Sequence, residues 1–199
     1  LLETKKMGRP REFDVDEALQ AAMELFWRKG YEGTSLTDLT DGMGITRPSL
    51  YGTFGNKEEL FRKALERYEQ GYMGFFREAM KEPTSRAVVE KMMNGYVEAL
   101  TASCNPGGCF GINAAMACSD AATAIQKAVI EKRKFGEQTL AERMQQAKDE
   151  GDLPADCDPV DLARYIMTVS QGMAVQAVAG AGRESLMKVV EMTLRTWPG

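Results

Sequence analysis

The side chains that could carry covalent chemistry are few. The thiols stand at Cys104, Cys109, Cys118 and Cys157, and no histidine occurs anywhere in the 199 residues. Without imidazole there is no ordinary base to activate a thiol or hydroxyl near neutral pH, and no histidine ligand for zinc. No two cysteines form a C-x-x-C pair, so neither a zinc knuckle nor a thioredoxin-like centre is expected. No metal and no cofactor is expected. Cys109 is the most suggestive thiol. It follows Gly107-Gly108 at the expected start of a helix, where the helix dipole favours thiolate. That context fits a redox or electrophile sensor. A small buried packing residue fits it as well, because free cysteines are usually buried and inert. An enzyme using Cys109 as nucleophile would need a lysine or a helix terminus for activation, and the expectation is that the chain is not an enzyme.

The second chemistry is hydrogen bonding to nucleic acid, and it is concentrated in residues 34–54. Ser35 with Asp38 starts a two-turn helix whose inner side is Leu36, Leu39 and Met43. Gly44 stands where two short helices must turn sharply, and Ile45 fills the angle between them. Thr46 caps the second helix, Arg47 and Pro48 occupy its first turn, and Leu50 and Phe54 face inward. Arg47, Ser49, Tyr51 and Thr53 are left outward or flanking. A helix-turn-helix over about 34–53 has this arrangement, because the N-terminal residues of its second helix meet base edges in the major groove. Ahead of it, Lys5, Lys6, Arg9 and Arg11 form a basic arm suited to phosphates or the minor groove, with a solvated terminus as the alternative.

These residues resemble the TetR/AcrR family of bacterial transcriptional repressors. The resemblance runs from Arg11 to about Gly71 and rests on Phe13, Gly30-Tyr31, Thr34, Gly44-Ile45-Thr46, Leu50-Tyr51, Phe54 and Asn56-Lys57-Glu58-Glu59-Leu60. It implies an all-helical homodimer with a DNA-binding head and a divergent ligand-binding body. It further implies that Thr34, Tyr51 and Lys57 contact phosphates and that residues from Arg47 to Thr53 read bases. Gly52, where an aromatic or histidine is frequent, and Met43, where a small residue is usual, depart from the family pattern. The expected DNA-contacting set is Arg9, Arg11, Thr34, Ser35, Arg47, Pro48, Ser49, Tyr51, Thr53 and Lys57.

The elements that must position these residues read as helices throughout. Val15, Ala18, Leu19, Ala22, Met23 and Phe26 make one apolar stripe, opened by Asp14 and closed at Gly30. A single long helix is expected from Lys57 to about Met80, capped by Asn56 and Glu59 and ended by Pro83. A helix through Val88, Met92, Tyr96 and Leu100 follows. Asn105-Pro106-Gly107-Gly108 is a breaker, and a short helix over roughly 109–118 comes next. A longer helix carries Ile125, Val129, Leu140 and Met144 to Gly151. Asp158-Pro159-Val160-Asp161 is a strong helix start. Gly180-Ala181-Gly182 separates that helix from a last one reaching Trp197. Nine or so helices and no sheet are expected.

The composition agrees with a globular chain: 44% apolar, 27% charged, formal net charge −4. With no C-x-x-C, no leader pattern and no apolar run of about 18 residues, a reduced cytoplasmic setting without a membrane span is expected. The domain reading is a basic arm at 1–10, a DNA-binding domain at 11–71, and a ligand-binding and dimerisation domain at 72–199. Methionine and aromatic side chains cluster at Tyr72, Met73, Phe76, Met92, Met93, Tyr96, Cys109, Phe110, Asn113 and Met116, a set that suits an apolar pocket. For each such residue taken singly, core packing is the alternative. The dimer surface is expected on the last two helices, at Ile166, Met167, Ser170, Met173, Ala174, Ala177, Val178, Val189, Val190, Leu194 and Trp197. The function this suggests is a repressor that binds a palindromic operator as a homodimer and is released by a small apolar or electrophilic effector. The alternatives are the same repressor switched by Cys109 oxidation, and a helical module that docks to another protein rather than DNA.

Overall fold

The computed structural model describes residues 13–103, 105–115, 119 and 122–198. Arg9, Arg11, Cys104, Met116 and Cys118 lie outside the described residues. Ten helices and no strand occur among the described residues, in the order α1 (Val15–Gly33), α2 (Leu36–Met43), α3 (Arg47–Phe54), α4 (Lys57–Gly71), α5 (Gly74–Ala79), α6 (Ser85–Thr101), α7 (Phe110–Ala115), α8 (Thr123–Asp149), α9 (Pro159–Val178) and α10 (Arg183–Arg195). No helix among them is long and apolar enough to cross a membrane.

Local signals set most boundaries. Asp14 accepts from the N–H groups of Asp16 and Glu17 at 2.8 and 3.0 Å, satisfying donors that the first turn of α1 leaves free. Helical dihedrals lapse at Gly30, where the sequence placed the stop. Asn56 and Glu59 cap each other reciprocally at the start of α4. Asp158 and Pro159 open α9 as their types predict.

The long helix expected from Lys57 to Met80 is instead two. The N–H groups of Tyr72 and Met73 both donate to the Tyr68 carbonyl, at 2.9 and 3.2 Å, so the ladder loses its four-residue step there. Gly71 and Gly74 flank the break, and glycine lowers the cost of leaving helical geometry. Arg77 spans it by donating from Nη2 to the Gln70 carbonyl at 3.1 Å. The apolar periodicity continues through the break, which is why spacing alone reads one helix.

Two apolar cores form. One joins α6, α8, α9 and α10 around residues such as Val88, Met92, Met93, Leu140, Ile166 and Val190. Seven residues expected at a dimer surface belong here: Ile166, Met167, Ser170, Met173, Ala174, Val190 and Trp197 are buried within the chain itself. Trp197 Nε1 donates to Ser85 Oγ at 3.2 Å, which pins the last residues to the start of α6. A helical stripe shows which face is buried and not what buries it. The second core joins α1 to α4 but also takes Phe110, Ala114, Ile125 and Val129 from α7 and α8. Phe110 is fully buried there, its ring stacked on Phe61 at 5.3 Å and Tyr68 at 5.4 Å, with Trp27 edge-on at 6.3 Å.

Candidate DNA-reading face and effector cavity

The turn between α2 and α3 is built by Gly44, whose φ of 64° is left-handed and strained for any residue bearing a Cβ. Its N–H and that of Ile45 satisfy the last carbonyls of α2. Thr46 caps α3 by accepting from the Ser49 N–H at 3.3 Å, with Pro48 in the first turn. Leu50 and Phe54 are buried, which fixes the opposite face outward. Arg47 and Pro48 are exposed, Ser49 and Thr53 half-buried, and Tyr51 is 49% exposed. Arg47 Nη2 donates to Thr37 Oγ1 at 3.0 Å, so the guanidinium bridges the two helices of the unit. A Cβ added at Gly52 would meet nothing within 4 Å, so the glycine leaves open space in the middle of this face.

The expected anchors divide. Ser35 is exposed and locked with Asp38 in a capping box. Lys29 also reaches Asp38, at 2.5 Å, and these donors hold the Asp38 carboxyl far below the usual range. Lys57 stands at the start of α4 with its ammonium 4.4 Å from the centre of the Tyr31 ring. Burial lowers its affinity for a proton, and Glu32 and Asp38 oppose that shift. Thr34, expected at a phosphate, is fully buried. Its hydroxyl donates to the Gly30 carbonyl at 2.7 Å, so it fastens the α1–α2 turn instead.

A cavity of about 220 Å³ lies where α4, α5, α6, α8 and α9 meet Cys109 and the start of α7. Of the pocket residues expected from sequence, Met73, Phe76, Tyr96 and Cys109 line it. Met92 and Met93 do not, because they are buried in the body core. Tyr72 packs edge-on to Trp27 and accepts from Gln20 Nε2, and Phe110 is taken by the head core. Asn113 turns back to donate to the Gly107 carbonyl at 2.9 Å. The remaining lining includes Tyr68, Glu69, Val129, Arg133, Phe135 and Met167, none of which the sequence reading placed in a pocket. Val129 lies on the apolar stripe of the helix ending at Gly151 and Met167 in the dimer stripe; nothing in one helix's pattern distinguishes a cavity wall from solid core. A wider depression of about 540 Å³ between the end of α6 and the α9–α10 turn shares no lining residue with this cavity.

Cys109 connects the cavity to the head. Tyr68 Oη donates to its Sγ at 3.7 Å, and burial together with the thiol pushes the Tyr68 pKa well up. One residue later Phe110 enters the head core, and two residues earlier the Gly107 carbonyl accepts from Trp27 Nε1 at 3.0 Å. Gly108 between them has φ 69°, and a Cβ there would fall 2.4 Å from Val178 Cγ2, so only glycine fits that crossing. No group of three or more potential metal ligands occurs among the described residues.

Known proteins resemble this chain over nearly its whole length. Residues 18–64 match the domain described as "Bacterial regulatory proteins, tetR family", and residues 83–192 match "Tetracyclin repressor-like, C-terminal domain". The HTH-type transcriptional repressor ComR of Escherichia coli K12 is 36% identical over 196 residues, covering 98% of this chain and 93% of that protein. The regulator YezE of Bacillus subtilis 168 is 33% identical over 192 residues, covering 94% of this chain and 98% of that protein. Among solved structures, a cysteine-substituted variant of the TetR-family regulator CifR, complexed with double-strand operator DNA, superposes with a TM-score of 0.92 at 41% identity. That match covers 96% of this chain and all of CifR's chain, 100%. With a left-handed glycine turn between α2 and α3, both halves of the chain matched, and regulators as full-length relatives, this chain belongs to the TetR family of DNA-binding transcriptional regulators.

Proposed function

We propose that the chain is an effector-released repressor that binds a palindromic operator as a homodimer. The α3 helix enters the major groove with Arg47 and Pro48 leading, and Tyr51 and Lys57 take phosphates. The observation that carries effector control is the Cys109–Phe110 pair: one side chain lines the cavity and the next is stacked inside the core that holds the DNA-reading helices. The operator complexes of CifR support the DNA-binding half by analogy.

The dimer surface, with the buried stripe removed, is the exposed apolar face of α9 and α10. Tyr165, Val175 and Val178 on the first helix and Val189 and Met192 on the second are large apolar side chains open to solvent. Val178 and Val189 alone of the sequence-expected surface are exposed; Ala177 and Leu194 are half-buried against the body core. Pairing this face would hold two α3 helices at a fixed separation, and successive major grooves require about 34–36 Å.

A specific observation favours Cys109 as a second input. Its thiol borders the cavity and accepts from Tyr68, whereas the half-buried Cys157 lies outside the cavity lining, next to the start of α9. The test of both readings is a gel-shift with the chain's own upstream region across a salt series, with and without N-ethylmaleimide. Specific, salt-sensitive binding is expected. Alkylation should release wild type and the Cys157→Ser variant but not Cys109→Ser. Equal affinity for random DNA sinks the repressor reading, and equal release of Cys109→Ser returns that thiol to a packing role.

A further inference from the structure

The cavity has apolar walls and one polar group left over. Met73, Phe76, Val129 and Met167 supply much of the apolar lining. The Tyr68 hydroxyl donates its proton to Cys109, Lys132 pairs with Glu69 at 2.7 Å, Arg77 Nη2 donates to the Gln70 carbonyl at 3.1 Å, and Arg133 Nη2 donates to the Gly111 carbonyl at 2.9 Å. Tyr96 differs. It is only 7% exposed, lines the cavity, and packs its ring edge-on against Phe75 at 5.0 Å. Its hydroxyl lies within electrostatic reach of Cys109 and Arg133 and has no hydrogen-bond partner among the described residues. Burial raises its pKa, so the group stays a neutral O–H donor. A hydroxyl that opens on the cavity and donates to no protein acceptor is placed to bond a ligand oxygen.

We propose that this cavity binds small uncharged aldehydes or ketones, with the carbonyl oxygen accepting from the Tyr96 hydroxyl and the hydrocarbon body against Met73, Phe76 and Val129. The proposal rests on the reading of this cavity as the effector site and narrows it to a chemical class. Size limits the body to a ring or short chain, since drug-sized ligands occupy about 300–1,000 Å³ and this cavity is smaller. The carboxylate is the competing ligand: Arg77, Lys132 and Arg133 stand on the wall against Glu69, with Lys132 paired to Glu69, Arg77 donating to the Gln70 carbonyl and Arg133 to the Gly111 carbonyl.

Titration calorimetry on the full chain, without DNA, compares cyclohexanone, methylenecyclohexane and cyclohexanecarboxylate. The ketone should bind about tenfold tighter than the alkene of the same shape, the effect of one hydrogen bond to a buried hydroxyl. In Tyr96→Phe, with helix content unchanged, that ratio should fall to within about twofold, because the donor is gone. If that variant does not fold, the carbonyl ¹³C resonance of cyclohexanone bound to wild type decides, a downfield shift being expected from hydrogen bonding. Equal binding of ketone and alkene, a ratio that survives in Tyr96→Phe, tightest binding of the carboxylate, or no ketone binding each overturns the proposal. Because DNA is absent, these outcomes are separate from operator release. A ketone-loaded protein that keeps its operator would refute effector control and leave the binding site standing.

Discussion

Replacing Phe110 tests whether the segment before α8 carries information or only fills space. The ring is fully buried, stacked on Phe61 and Tyr68 at 5.3 and 5.4 Å, with Trp27 edge-on. Phe110→Ala would leave a cavity and cost about 3–5 kcal/mol, a large part of a domain's usual stability of about 5–15 kcal/mol. Phe110→Leu is the sharper tool. It keeps most of the apolar volume and loses ring pairs worth about 0.5–1.5 kcal/mol each, so about 1–3 kcal/mol in all once shared neighbours are allowed for. The protein should therefore fold. If Phe110 couples cavity to head, operator affinity falls by about 5- to 150-fold, the usual range of coupling between sites. Urea unfolding reads the first quantity and fluorescence anisotropy with labelled operator reads the second. Leu140→Ala, in the body core and away from the head, is the control, with a stability cost of about 2–5 kcal/mol and operator affinity unchanged. If Phe110→Leu unfolds earlier yet binds operator like wild type, Phe110 is core and nothing more.

Three further outcomes follow from the geometry. Arg47→Ala should relax preference at one operator position by about 1–3 kcal/mol, whereas Lys57→Ala should weaken all DNA alike and lower the salt slope by about one charge; equal losses on specific and random DNA would erase the distinction. The Asp38 carboxyl is depressed in the folded protein by Lys29 and Ser35, so its contribution is fully present above the unfolded value of about 4 and is lost as pH falls below it. The thermal midpoint of Asp38→Asn should accordingly lie below wild type at pH 7 and converge with it in acid; a gap independent of pH would assign the loss to capping alone. Met192→Lys should shift the chain toward monomer in size-exclusion with light scattering, since Met192 is 53% exposed on the face proposed to pair; an unchanged dimer would place the interface elsewhere.

The parts of the fold set by neighbouring residues were legible in the sequence. Asp14, Ser35, Thr46, Asn56 and Asp158 each cap the helix their types foretell, and Gly44 takes the left-handed turn. The parts assembled from distant segments were not. The cavity draws on six helices, so Met92 and Met93, apolar and near in sequence, fell into solid core while Tyr68 and Arg133 reached the wall. The α9 stripe identified a buried face and missed that α6 and α8 bury it. The break at Tyr72 had a signal in Gly71 and Gly74, which the uninterrupted apolar spacing overrode.

That break changes how a signal would travel. A continuous rod from Lys57 to Met80 could tilt as one body, but α4 and α5 meet at a step where the ladder is already loosened. The shorter route is the segment from Gly107 to α7. Gly107 and Gly108 both have positive φ, at 86° and 69°, so the backbone there has conformations that few other residues share. The segment is held to the head by the Trp27 indole and the Phe110 stack, and to α8 by Arg133 on the Gly111 carbonyl. A ligand shifts such an equilibrium only by its differential affinity for the two arrangements, and the same factor must appear in the effect of operator on ligand binding. On the proposed function, an effector resting against Cys109 is one residue from the ring that closes the head's core. A reciprocal measurement decides it: operator DNA should weaken effector binding by the factor with which effector weakens operator binding, and Phe110→Leu should bring both factors toward one.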